Sequence, residues 1–271
     1  MRTQKGKGYW LGVTVCAWAV TLLAGAPVRA EEGAGSAEKW QIEITPYFWA
    51  AGLNGTTGVA GVTGNVDMSV GDILDRLDST FMGMVEARKG PWSVLFDGGY
   101  MRLKGEATKS WSGPGGIGTS TGQLSADATD EVLSLAVGHR VGGQDSRADV
   151  LLGVRYTKID SNLDLVVSTA GTLPGGTRRV SDDQGWWDPI VGFRIIVPFA
   201  ERWSAVGYAD VGGFGIGSVL SSQSLIGVNW ELTKNIIAKA GFRYLIQDYT
   251  NDEFVWNMTT SGPYLGVGIR F

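Results

Sequence analysis

The 271-residue chain carries 23 basic and 27 acidic side chains and one cysteine, so it could hold one or two domains. Its acidic balance argues against a nucleic-acid partner, and its one thiol excludes an internal disulfide framework.

The first thirty residues read as a secretory signal. Arg2, Lys5 and Lys7 supply a positive start, Trp10 to Ala24 an apolar core, and Val28-Arg29-Ala30 a small-residue cleavage site. The expected mature chain therefore begins at Glu31, with residues 31–38 a short N-terminal segment and 39–271 the structural domain. A lone anchor helix fits less well, because Gly12, Thr14, Thr21, Gly25 and Pro27 interrupt the apolar run. Cys16 lies inside this leader behind Val15, where a lipidated cysteine expects a small residue. The mature protein should thus have no thiol, disulfide or lipid anchor. Losing Arg2, Lys5, Lys7 and Arg29 moves the net charge from −4 to −8.

No second apolar run reaches the length of a spanning helix, yet the rest of the chain alternates with a period of two. The alternating segments are Trp40 to Ala51, Thr80 to Lys89, Trp92 to Lys104, Glu131 to Val141, Ala148 to Leu163, Trp187 to Phe199, Trp203 to Gly215, Ser221 to Leu232, Ile236 to Tyr249 and Trp256 to Phe271. The fold class expected is all-β, an antiparallel transmembrane β-barrel of about ten strands, with eight or twelve as alternatives. Lys89-Gly90-Pro91, Gly142 to Asp145, Ala200-Glu201 and Thr233 to Asn235 read as short periplasmic turns. Gly52 to Asp78, Gly105 to Asp130 and Val166 to Gly185 read as the longer extracellular loops. One parity is apolar, as in Trp92, Val94, Phe96, Tyr100 and in Val150, Leu152, Val154, Tyr156. Trp92 and Tyr100 lie about 26 Å apart along a strand, matching an apolar band between two aromatic girdles. A soluble barrel alternates too, with its apolar face inward; the leader and the terminal aromatic Phe271 favour the outer membrane of a Gram-negative cell.

The opposite parity gathers charges into the lumen: Glu43, Glu86, Asp97, Asp149, Asp188, Asp210 and Glu231 against Arg88, Arg140, Arg155, Arg194, Lys239, Arg243 and Arg270. Seven acids facing seven bases imply ion pairs across a narrow space and leave no room for a wide, strongly selective pore. Two readings stay open. The pairs fill and stiffen the barrel, or Asp97, Asp210, Arg194 and Arg243 line a narrow polar conduit. Tyr47, Trp49, Trp256, Tyr264 and Phe214 share the inward parity toward the loops, with Trp49 and Trp256 expected as neighbours where the first and last strands close the barrel, and should form an apolar vestibule or steric filling. In the first loop Val70 to Asp78 reads as a short amphipathic helix with Asp72, Ile73, Leu74 and Leu77, capped by Ser69, that plugs the mouth.

Catalytic signals are sparse. His139, the sole histidine, points outward near the turn side by parity, and no serine stands at a persuasive spacing from it. Asp182-Asp183 and Asp248, Asp252, Glu253 lack the spacing of a calcium loop, and the glycine runs are turn chemistry. No cofactor, metal or catalytic residue is therefore expected. The expectation is a non-enzymatic barrel, structural and surface-exposed or a narrow small-molecule conduit. The alternative is a lipid A-directed enzyme or a lipopolysaccharide-binding protein.

Three stretches carry a resemblance: Trp187 to Arg194 (WDPIVGFR), Asp210 to Ser218 (DVGGFGIGS) and Gly262 to Phe271 (GPYLGVGIRF). With Thr45 to Gly52 (TPYFWAAG) and the Asp72 to Leu77 helix, they resemble a widespread family of proteobacterial outer-membrane β-barrel proteins without an assigned activity. The resemblance implies fold and location and supplies no catalytic residues. It implies outer-membrane lipids and lipopolysaccharide as surroundings, and Phe271 as the terminal residue read by the outer-membrane assembly machinery.

Overall fold

A computed structural model of the chain describes residues 39–59, 62–112, 119–141, 147–170, 176–251 and 253–271. The expected leader, residues 31–38, the turn at 142–145 and Asp252 lie outside the described residues. Among the described residues twelve strands and one helix follow one another: β1 (Gln41–Trp49), β2 (Gly52–Val59), β3 (Val62–Met68), α1 (Val70–Arg76), β4 (Leu77–Lys89), β5 (Trp92–Ser112), β6 (Thr119–Arg140), β7 (Arg147–Ala170), β8 (Gly176–Ala200), β9 (Trp203–Gly213), β10 (Leu220–Glu231), β11 (Ile236–Thr250) and β12 (Phe254–Arg270). β1 and β4 to β12 pair antiparallel in chain order, and β12 returns to β1, which closes a ten-stranded barrel.

Alternation determines which way each strand faces. Val94, Phe96, Val150, Leu152, Val191, Phe242 and Leu265 stand exposed on the outside, whereas Glu86, Asp149, Arg155, Asp188, Asp210 and Arg243 are buried within. An apolar belt of this extent is stable against lipid and not against water. Aromatic pairs mark its two borders. Trp203 stacks on Trp230 at 5.2 Å toward the short turns, and Tyr156 lies 4.8 Å from Trp187 toward the loops.

Two expected loops are instead ribbon. β5 and β6 stay paired to Ser112 and Thr119, and β7 and β8 to Val167 and Gly176, through stretches read as loops at 105–130 and 166–185. Beyond the girdle both faces of a ribbon meet water, so backbone pairing persists with no apolar face to show in the sequence. The first loop holds the β2–β3 hairpin. Trp49 pairs with Tyr264 and Gly52 with Ser261, so β2 prolongs β1 along the same edge of β12. The hairpin therefore raises the rim and adds no strand to the ten that close the ring.

α1 ends at Arg76, two residues earlier than expected, because Leu77 adopts extended backbone and opens β4. Its start is a capping box: the Ser69 hydroxyl accepts from the Asp72 amide at 3.2 Å, and the Asp72 carboxylate accepts from the Ser69 amide at 3.0 Å.

The lumen as candidate functional site

The lumen is organised in layers along the barrel axis. Nearest the short turns, Glu43 bonds Lys239 and Arg270, and Arg270 also reaches Glu231 at 3.2 Å. Above them Glu86 on β4 takes three guanidiniums: Arg88 at 2.8 Å, Arg147 at 2.8 Å and Arg194 at 2.9 Å. Arg194 and Arg147 also hold Asp149, at 2.6 Å and 2.8 Å. Because β8 is four strands from β4 around a ring of ten, the Arg194–Glu86 contact crosses the lumen.

The next layer spans nearly the whole cross-section. Arg243 on β11 meets Asp97 on β5 at 2.7 Å and donates to the Tyr47 hydroxyl at 2.6 Å, while Tyr47 donates to Asp97 at 2.6 Å. Arg155 on β7 donates to Asp210 at 2.6 Å, Ser221 at 2.9 Å and Ser134 at 3.1 Å. The Gln223 side-chain oxygen accepts from Arg243 at 2.8 Å and from Arg155 at 3.4 Å, which joins the two groups into one sheet of polar contacts. Arg155 is 0% exposed, and Asp210 and Arg243 are buried beside it. Burial without partners would be prohibitive for these charges; here each carries several directional bonds. One step nearer the loops Gln247 on β11 donates across the ring to Thr157 on β7 at 2.6 Å, both buried.

An apolar cap closes the loop end. Leu53, Ile73, Ile159, Trp186, Phe254, Trp256 and Met258 form one buried cluster, with Trp186 stacked on Tyr249 at 4.2 Å. α1 supplies Ile73, 4% exposed, to this cluster. Leu74 and Leu77 instead line a small cleft against Phe48, Met82 and Met101 on the wall, and Leu74 keeps one side exposed. Outside the site, the Asp72 carboxyl is held below the usual carboxylate range, first by the Ser69 hydroxyl.

Several expected residues fall elsewhere. Phe214 is 59% exposed in the β9–β10 turn and does not face a vestibule, because it adopts positive φ (54°) between Gly213 and Gly215 and the alternation stops there. Trp49 and Trp256 are not neighbours. The stagger of the strands pairs Trp49 with Tyr264 and Trp256 with Thr57, so Trp256 joins the cap. Trp49 instead donates its indole N–H to the Gly262 carbonyl at 3.1 Å and lies under the Arg243 guanidinium at 4.8 Å. Tyr47 meets Tyr264 edge-on. Asp188 pairs with no cation among the described residues; its carboxylate accepts from the Ser218 amide at 2.7 Å and the Trp186 indole at 3.2 Å, fastening the β9–β10 turn to the wall. Arg140 stands exposed at the turn end.

Arg147, Tyr208, Gln223 and the serines were not singled out by sequence reasoning. Inward parity would have found Tyr208, which donates to Asp210, and Gln223; Arg147 is the first residue of β7, one residue before the strand start expected at Ala148. His139 faces outward, 4.6 Å from the Trp92 ring at the turn-side rim. Asp182 accepts from Gln184, and Asp183 is bridged by Lys158 at 3.5 Å.

No family model matches the chain, and no curated protein matches it. Among solved structures, the outer membrane protease OmpT from Escherichia coli superimposes with a TM-score of 0.57 at 10% identity, over 89% of this chain and 99% of that one. The translocator domain of the autotransporter NalP from Neisseria meningitidis matches at 14% identity over 96% and 94% of the two chains, with a TM-score of 0.38. Ail, the attachment invasion locus protein of Yersinia pestis, matches at 11% identity over 86% and 99%, with a TM-score of 0.33. At 10% identity the OmpT superposition speaks for the fold alone, which is that of an integral outer-membrane β-barrel.

Proposed function

We propose that this protein is a non-enzymatic outer-membrane barrel whose lumen is closed and whose working surface is the four-stranded extension of β5 to β8 above the lipid. The observation that carries this reading is the unbroken polar layer from Tyr47 and Asp97 through Arg243 and Gln223 to Arg155 and Asp210. Every carboxylate in that layer is engaged by a guanidinium and a hydroxyl, so none is free to serve as a general base. The apolar cap above it gives hydrated ions a second barrier. The mid-height charges thus act as fill and brace in this reading, not as the rings of a conduit.

Above the girdle, outward-facing Arg102 pairs with Asp127, Lys104 with Asp78, and Lys158 with Asp160. These cations are matched locally by acids, so lipopolysaccharide is the surroundings of the ribbons in this proposal and not a chemically recognised substrate. The test is single-channel recording of refolded mature protein in planar bilayers, with and without residues 72–77. Silence from both is the expected result, since the polar layer remains when the helix is gone. Reproducible openings that widen on the deletion would replace this reading with a plugged conduit.

A further inference from the structure

Below the polar layer the lumen is not filled. A cavity of about 380 Å³ opens there and reaches Glu201 and Arg202 at the turn end. One side of it is apolar. Ile196 on β8 pairs with Val206 on β9, with Pro198 and Leu225 flanking them on β8 and β10, and all four line the space. The rest of the wall is ionic and unbalanced, with seven basic against five acidic side chains. The surplus has a definite place. Arg88, Arg147 and Arg194 share Glu86, and the one other acid they bond is Asp149.

The cavity opens toward the turn side, and what argues for a ligand beyond water is its division into an apolar arc and a basic cluster. A brace alone would need neither the smooth apolar arc nor a third guanidinium on two carboxylates. We propose that the cavity binds a small amphipathic anion of the medium-chain carboxylate class. The acyl chain lies along Ile196, Pro198, Val206 and Leu225, and the carboxylate meets the Arg88–Arg147–Arg194 cluster. The volume sits at the small end of ligand pockets, about 300–1,000 Å³. Planar guanidiniums suit a carboxylate, and the low dielectric of the lumen strengthens the contact. Because the polar layer and cap lie above, the pocket is blind, and its ligand enters and leaves by the turn side.

The experiment is a fluorine NMR titration of the full barrel in nanodiscs with 8,8,8-trifluorooctanoate, using empty nanodiscs as blank and the alcohol of the same chain as the uncharged control. Expected is saturable binding above the blank, at least tenfold weaker for the alcohol. Leu225→Trp, which fills the apolar arc, weakens it at least tenfold while the barrel keeps its heat-modifiable gel migration. Val206→Phe is the second filling variant and decides the matter if Leu225→Trp does not fold. A signal equal to the blank, equal affinity for acid and alcohol, or unchanged binding in the folded filling variants would each overturn the proposal. Channel silence bears on closure and this titration on the pocket, so the two readings fail separately.

Discussion

The two halves of the lumen are built from the same alternating strands and differ in what those strands turn inward. Toward the loops the inward residues are either buried charges with several partners each or large apolar side chains packed around Ile73. Toward the turns three guanidiniums, Arg88, Arg147 and Arg194, share Glu86 and Asp149, and a cavity of about 380 Å³ persists. Closure and open space are thus divided along one barrel axis. A continuous sheet of polar contacts shuts one half, whereas in the other the Arg194–Glu86 bridge crosses the ring and leaves space beside it.

The sharpest way to break this comparison is to remove one charge from each half. Arg155→Ala strips the partner from Asp210 in a site with no access to water. Leaving a buried charge uncompensated costs about 3–5 kcal/mol, read as a fall in the urea midpoint of the refolded barrel. Arg270→Ala at the turn end removes a guanidinium that is 36% exposed, and its loss should cost under about 1 kcal/mol. Equal losses at the two positions would mean that the halves are not energetically distinct.

The cap offers a second, smaller lever. Ile73→Ala removes most of an apolar side chain that is 4% exposed and leaves a cavity among Leu53, Trp186 and Phe254. The expected cost is about 2–4 kcal/mol, confined to docking of α1. Limited proteolysis should then cut near residues 69–77 while the barrel remains folded. The exposed Leu74→Ala should change proteolysis little, and a comparable effect from both would show that α1 is not held by its Ile73 side.

Much of this division was legible in the residues. Parity placed Asp97, Asp210, Arg194 and Arg243 inside and Val94, Phe96 and Leu152 outside, because one face meets lipid and the other the lumen. Ser69 and Asp72 announced the helix start because a capping box depends on a local spacing. What failed depended on register or on contrast. Period two fixes a face and says nothing of height, so Trp49 and Trp256 were read as neighbours although the stagger separates them by eight residues of β12. The ribbons above the girdle lack a second phase to contrast with water, so they looked like loops. Phe214 followed the parity of β9 on paper and left it at a turn with positive φ. The cavity was invisible because it depends on which inward side chains fall short of one another.

The smallest effect concerns the cap's anchor and is the one that pH reaches. The Asp72 carboxyl lies below its ordinary value because it accepts from the Ser69 hydroxyl and amide. A carboxyl depressed in the folded state contributes stability that is fully present above the unfolded value, about 4. That contribution is lost as pH falls through the lower folded value. Carbon secondary shifts of Val70 to Arg76 should therefore hold steady from neutral pH to about 4 and begin to fade only below it. In Ser69→Ala the fade should start higher, because the hydroxyl bond, the larger cause of the depression, is gone and only the backbone amide bond remains. Ile73 should keep the helix near the wall in both proteins, so the change stays local to the first turn. An unshifted fade in Ser69→Ala would mean that the helix start is held by the apolar contact and not by the capping box.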